Sequence, residues 1–359
     1  MSCSKIFSGD LPELIYEIIK NFQNDYSTLH SCVLVNRLWC RLTIPLLWEN
    51  PFSISTGNYN FIEIYLYNLN DYLKTQLNEY QFIDYLLPSN TLFNYPSFIR
   101  YLSMYKITPS IDKWLKVNDI ISKFTNNNNS KSVFEFKVLI EMSLIKLFIE
   151  NETNLHIFEI KIDTYCNKYY NNILESILQN QNFINNIKNL KASILSSNIL
   201  IKDKISQIIN SHQNLKRILL GNCQDSNIKL ILQNLGQTLP SKLEYLSLFL
   251  YIEANDFEIF LKNSQDTFFK KLLINNMMRE YNDGIDILPY IKEYIMKKKR
   301  VKYLAIKNNF ILSYNRYDRK DVDLSNLKDE VKEFKLHNIK VLNYVNLSTD
   351  ICKFVSEND

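Results

Sequence analysis

LKRILLGNC, residues 215–223, and LEYLSLFL, residues 243–250, share one apolar pattern 28 residues apart. Written apolar-x-x-apolar-x-apolar, the pattern starts at Leu215 and Leu243, and again at Ile99, Leu155, Phe269, Val301 and Val331. A weaker copy starts at Leu190, where Ser193 takes the second apolar position. From Leu155 onward the starts are 35, 25, 28, 26, 32 and 30 residues apart. Amphipathic stretches such as IKLILQNLG and ANDFEIFLKNS lie between them. Short strands alternating with helices are therefore predicted, each unit burying its apolar face only against its neighbours.

This spacing resembles that of leucine-rich repeats, in which the first, fourth and sixth positions of each unit point inward and a helix packs behind. Cys or Asn at the ninth position of the units from Leu190, Leu215 and Val301 adds to the resemblance; the other units lack it, so the repeats are irregular. The competing reading is an ordinary α/β domain. A doubly wound nucleotide-binding sheet, however, would show a Gly-rich turn from strand to helix, and all five glycines are isolated.

In a curved stack the positions flanking the inward pair face the concave side. They comprise Arg217, Leu219 and Gly221; Tyr245, Ser247 and Phe249; Lys271, Leu273 and Asn275; Tyr303, Ala305 and Lys307; Glu333, Lys335 and His337. Tyrosine and arginine are common anchors in protein interfaces. Arg217, Tyr245, Phe249, Lys271, Tyr303, Lys307 and Lys335 are accordingly the candidate residues for gripping a protein segment.

At 359 residues the chain has room for a small domain ahead of such an array. Its formal charge is only +4, well below that of a dedicated phosphate-backbone binder, so nucleic acid is not expected as a partner. Six scattered cysteines without a CxxC pair suggest reduced thiols in a cytoplasmic or nuclear protein. The first ten residues lack the apolar core of a signal peptide. The most apolar run, VLIEMSLIKLFIE, is interrupted by Glu141 and Lys146, so no membrane span is expected.

The N-terminus reads differently from the repeats. In GDLPELIYEIIKNF, Leu11, Leu14, Ile15, Ile18, Ile19 and Phe22 share one helical face. Asp10 and Glu13 suggest a capping box, with Pro12 in the first turn. YSTLHSCVLV gives a second short helix, and Asn36 caps a third that carries Leu38, Trp39 and Leu42 and that Pro45 should end or kink. Three short helices in about forty residues cannot bury all these side chains alone, so another surface must cover them.

The order LPELIYEII followed by LHSCVLVNRLW resembles the F-box, matching that family's L-x-x-C/S-x-x-V-x-[KR]-x-W stretch over roughly a tenth of the chain. The continuation LLWENPF is similar to one that recurs in large fungal F-box families. The resemblance implies docking onto a Skp-family adaptor, and through it onto a cullin ubiquitin ligase. Carried over by motif position, Leu11, Pro12, Ile15, Val35 and Trp39 would touch the adaptor, while Leu14, Ile18, Cys32 and Leu42 are equally suited to the domain's own core. Leu42, Leu46 and Trp48 would join this domain to the next part of the chain.

Catalytic motifs are missing. His30, His156, His212 and His337 are far apart and show no metal-binding spacing, and no P-loop, GxGxxG or GxSxG occurs. No enzyme activity, cofactor or metal is expected. Lys297, Lys298, Lys299 and Arg300 resemble a short nuclear signal but read better as a solvated cluster complementing a helix C-terminus. Asn126 to Asn129 read as a low-complexity insertion.

The expected architecture is mixed α and β: a three-helix F-box over 1–52, a helical connector over 53–97 and an irregular α/β leucine-rich-repeat solenoid over 98–359. The expected function is substrate recognition for a cullin-type (SCF) E3 ubiquitin ligase. The alternative is a leucine-rich scaffold outside the ubiquitin system, with the N-terminal helices as a cap.

Overall fold

The computed structural model describes residues 11–54, 59–80, 91–122, 132–162, 167–195, 198–212, 214–223, 228–264, 267–278, 285–310 and 321–348. Asp10, the Asn126–Asn129 run, Cys3, Cys166 and Cys352 lie outside them. The chain is mixed α and β and divides into two compact units, 1–155 and 156–359. The first takes in the expected F-box, connector and earliest repeat. No helix among the described residues is long and apolar enough to cross a membrane.

The first unit opens with α1 (Pro12–Lys20), α2 (Tyr26–Val33) and α3 (Arg37–Leu47). Leu11 occupies the N-cap of α1 without a side-chain cap bond, and Pro12 fills the first helical position. The Asp25 carboxylate accepts from the Thr28 backbone N–H at 3.1 Å and starts α2. The Asn36 side-chain oxygen accepts from the N–H groups of Leu38 and Trp39 at 2.9 and 3.0 Å, the expected cap of α3. Pro45 does not stop α3, which runs two residues further to Leu47.

Behind these helices come α4 (Phe61–Tyr67), α5 (Asp71–Asn78), a short strand β1 (Tyr101–Ser103), α6 (Met104–Val117) and α7 (Val133–Glu150). A capping box starts α7: Glu135 N–H donates to the Ser132 hydroxyl and Ser132 N–H to the Glu135 carboxylate. The long apolar run noted in the sequence is this helix, and its Phe136, Ile140, Leu144 and Phe148 are fully buried. Phe148 meets the Tyr65 ring at 5.1 Å, and Tyr65 in turn meets Trp48 at 5.3 Å. Trp48 also lies 4.2 Å from the Tyr95 ring. The later helices of the unit thus supply the cover that the N-terminal three lack.

The second unit alternates β2 (Ile157–Ile162), α8 (Asn167–Gln179), α9 (Gln181–Asn185), β3 (Asn189–Ile194), α10 (Ile199–Ser211), β4 (Arg217–Cys223), α11 (Ile228–Thr238), β5 (Tyr245–Leu250), α12 (Ala254–Asn263) and β6 (Phe269–Met278). There follow α13 (Leu288–Ile291), which continues as a π-helical turn to Met296, β7 (Val301–Phe310), β8 (Val322–Asp323), α14 (Lys328–Leu336), β9 (Lys340–Val341) and α15 (Tyr344–Leu347). Strands β2 to β7 pair in parallel in chain order; β7 also pairs with β8, antiparallel, and with β9, parallel.

Because every crossover is a helix on one side, one sheet face is buried and the other is left open. Phe158, Leu190, Ile218, Leu246, Leu272 and Leu304 share one buried row. A second consists of Ile160, Ala192, Leu220, Leu248, Ile274 and Ile306. The expected inward positions are therefore correct for the units from Leu155, Leu215, Leu243, Phe269 and Val301.

Three readings of the repeats need correction. The weak unit starts at Ile187, not Leu190: Leu190 pairs with Ile218 as a fourth position, and Ser193 lies on the open face, where a serine is not anomalous. The stretch from Val331 is not a strand but lies in α14, where Asp329 and Glu330 in the first turn and dense Lys and Glu favour helix. In the units from Phe269 and Val301 the asparagine on the inward side stands at the eighth position, not the ninth. Asn276 and Asn308 are fully buried, and Asn276 accepts the Ile252 backbone N–H at 2.9 Å. Odd positions face the other way, so Asn309 pairs with Asn275 on the open face instead.

Tight ends let helices return to strands without glycine. Lys299 has φ 51° and Asn338 φ 62°. In both turns the next residue donates back across the helix end, Arg300 N–H to Ile295 O at 3.0 Å and Ile339 N–H to Phe334 O at 3.1 Å. Gly236 is a different case: a Cβ there would come 2.8 Å from the Phe260 carbonyl, so α11 and α12 approach closely only because it is glycine.

Arg300 overturns the reading of the basic cluster as wholly solvated. Only 5 % of it is exposed. Its guanidinium donates to the carbonyls of Thr267 at 3.0 Å, Leu261 at 3.2 Å and Ser264, and to the Ser264 hydroxyl at 3.1 Å. It closes the C-terminal end of α12, whose carbonyls have no further helix to bond.

His212 is also buried, just before β4. Burial lowers its pKa to about 4, against the upward pull of backbone hydrogen bonds at Ile187 and at His212 itself. Between pH 6.5 and 4 the unfolded chain takes up a proton that the folded chain refuses, so stability falls as pH drops through that window, by about 2 kcal/mol at pH 5. In urea titrations the deficit of His212→Phe against the parent chain should shrink steadily from pH 7.5 to 5. Parallel curves would show that this imidazole is not the group responsible.

Candidate functional site

Two surfaces carry the residues singled out in the sequence. On the first unit, Ile15 and Trp39 do not form an exposed docking edge. Both belong to the core that α1, α2 and α3 make among themselves, with Ile19, Leu29, Cys32 and Leu46. Ile15 is fully buried and Trp39 is 8 % exposed. Sequence spacing placed them on an apolar helix face but could not say what covers that face.

At the surface, Leu11 and Pro12 are half-buried and Val35 is 50 % exposed. Two residues outside the expected adaptor set join them, Leu14 at 42 % and Leu34 at 75 % exposed. Leu11, Leu14 and the half-buried Ile18 follow helical spacing along α1, so the outward apolar stripe is offset from the inward one of Ile15 and Ile19. Leu34 and Val35 sit in the turn between α2 and α3. No polar role within the fold accounts for two consecutive exposed aliphatic residues in a turn.

The second surface is the open face of the sheet. Strand register sets Asn189, Arg217, Tyr245, Lys271, Tyr303 and Lys340 side by side at the N-terminal ends of their strands, neighbours being about 4.8 Å apart. The next row is Glu159, Lys191, Leu219, Ser247, Leu273 and Ala305, and the third is Lys161, Ser193, Gly221, Phe249, Asn275 and Lys307. Six of the seven expected gripping residues are therefore brought to one face. Lys335 is not, since it lies on α14.

Charge on this face is partly compensated. Lys191 meets Glu159 at 2.6 Å and Lys307 meets Asp321 at 2.7 Å. The Lys271 ammonium is held below the usual lysine range, first by burial and then by the charges of Arg217 and Lys270.

Over β5, β6 and β7 the face is not open. The segment after β9 turns across it, and Leu347 packs with Tyr245, Leu273 and Ala305, flanked by Leu219, Tyr303, Leu342 and Tyr344. Burial pushes the Tyr344 pKa up, and the side chains of Ser247 and Asn275 pull it partly back. Asp323 anchors the entry to the turn, accepting from the Tyr344 N–H at 3.0 Å and the Asn343 amide at 3.2 Å. Leu342 N–H donates to Leu304 O at 2.9 Å.

None of these covering residues was singled out in the sequence. The one available signal was Asn343, whose side chain accepts the Val345 N–H at 3.0 Å as a helix cap.

Among the described residues no group of three or more His, Cys, Asp or Glu could hold a metal ion. Cys32 and Cys40 are free thiols, and burial pushes the Cys32 thiol up, away from nucleophilic reactivity. No protein-family model, curated protein or solved structure matches the chain.

Proposed function

We propose that the chain is a substrate receptor for a cullin-type (SCF) ubiquitin ligase. In this reading α1 to α3 are its F-box and the sheet of the second unit is its leucine-rich, substrate-facing part. The observation that carries the reading is the LPELIYEII and VNRLW order on three short helices that leave Leu14, Leu34 and Val35 exposed and Leu11 and Pro12 half-buried. Those five side chains form the adaptor-docking set. The receptor has no catalytic group of its own; it raises the effective concentration of a bound protein near a ubiquitin-loaded enzyme, in the cytoplasm or nucleus.

The test is co-purification of the full chain with the Skp-family adaptor of its host. The parent chain should retain the adaptor, and Val35→Asp should weaken retention tenfold or more while leaving thermal unfolding unchanged, since the residue is in a surface turn. Absence of adaptor from the parent pull-down would sink the proposal.

One observation favours a second reading, a leucine-rich scaffold outside the ubiquitin system. Two of the five residues assigned to the adaptor by motif position, Ile15 and Trp39, are internal. The same pull-down separates the two, because the scaffold binds no adaptor.

A further inference from the structure

We propose that the turn Asn343–Leu347 is an internal stand-in for a partner, and that the seat on β5 to β7 recognises a protein segment of the same kind: one helical turn with Tyr and, three residues on, Leu. This rests on the sheet's open face being the partner surface, and not on adaptor docking by α1 to α3.

The turn is not needed to close the end of the fold. Leu324, Phe334 and Ile339 are already buried at that end. In addition, α14 continues the helical layer, with Glu330 and Glu333 meeting Lys292 at 2.6 and 2.7 Å. The chain then leaves β9 and crosses the face over β5 to β7, reaching Leu219 of β4, whereas no such segment among the described residues crosses β2 and β3. The seat is shaped for this occupant. Ser247 and Ala305 are the small members of their row, either side of Leu273, and Leu347 is buried over Leu273 and Ala305.

Recognition rests on the apolar seat, where Leu347 packs on Tyr245, Leu273 and Ala305 and the Tyr344 ring packs alongside. The occupant is held lightly. Of its four helical residues, Val345 and Asn346 are exposed; Tyr344 and Leu347 supply its covered side chains, and Asp323 tethers its start. Segments with so few buried side chains open locally without global unfolding. A partner segment of matching pattern then competes for the seat by mass action.

The probe is a labelled peptide with the sequence of residues 339–348, IKVLNYVNLS. Full-length chain carrying Leu347→Asp, which empties the seat, should bind it at least tenfold more tightly than the parent. A peptide with alanine at the Tyr and Leu positions should not bind. A second measurement needs no substitution: excess peptide added to the parent chain should accelerate hydrogen exchange at Tyr344 and Val345 at least tenfold, leaving β6 unchanged. Equal peptide binding by both chains overturns the proposal. So does exchange that ignores the peptide, or a concentration-dependent dimer in which a second copy supplies the turn. The adaptor pull-down is read separately and can fail while these succeed.

Discussion

Arg300→Met should destabilise the second unit by about 3 kcal/mol or more, the largest single-residue effect expected there. The methionine fills much of the space but removes the guanidinium donors of three carbonyls, leaving Ser264 O with only the Thr267 N–H at 3.1 Å, Leu261 O with only the long Ser264 hydroxyl contact at 3.5 Å, and Thr267 O without its Arg300 donor. Hydrogen bonds to charged groups each contribute about 1.5–3 kcal/mol, and stranded buried acceptors add their own desolvation cost. Arg300 also lies 6.0 Å from the Phe269 ring centroid, so the substitution loosens the start of β6.

Arg300→Lys should recover only part of the loss. An ammonium keeps the charge but cannot reach several divergent carbonyls as the planar guanidinium does. Urea unfolding of the full chain, followed by a probe of the second unit, measures both variants. A loss under 1 kcal/mol for Arg300→Met would mean that solvent reaches those carbonyls once the side chain is removed.

Trp39→Ala should cost about 3–5 kcal/mol, the range for deleting a buried aromatic side chain. The loss falls on a core of few residues, Ile15, Ile19, Leu29, Cys32, Trp39 and Leu46 with their half-buried neighbours, so local unfolding of α1 to α3 is expected. In the proposed receptor, adaptor retention would then disappear because the docking surface unfolds, not because Trp39 itself touches the adaptor. Hydrogen exchange distinguishes the two causes. Trp39→Ala should deprotect the amides of α1 to α3, whereas Val35→Asp should leave them protected while lowering retention. A folded, fully protected Trp39→Ala chain that loses the adaptor would return Trp39 to the docking surface.

Much of the fold was legible because its units are local. The apolar spacing of LKRILL, LEYLSL, FKKLLI and VKYLAI is enough to predict strands with their first, fourth and sixth side chains inward. A helix between successive units requires the strands to run parallel. The Asn36 cap was legible for the same reason: a cap bonds to residues two and three positions away.

Register in the weak unit was not legible. Ala192 is small enough to be passed over as a core residue, and the next leucine drew the reading three positions along. Val331 failed because VKEFKL fits both periods, and only the surrounding Asp, Glu and Lys decide for helix.

Local spacing, then, was enough for the alternation of strands and helices as far as β7, the inward rows outside the weak unit, the three short N-terminal helices and six of the seven side chains expected on the open face. Tertiary structure alone decided what covers each of them. Ile15 and Trp39 turned inward because α1, α2 and α3 close on one another; Arg300 left the basic cluster because the turn at Lys299 aims it at the end of α12. Tyr245 lost its exposure to a segment about a hundred residues further along the chain. Periodicity fixes the direction of a side chain relative to its own backbone, whereas burial depends on which distant surface arrives opposite it, and no local spacing encodes that arrival.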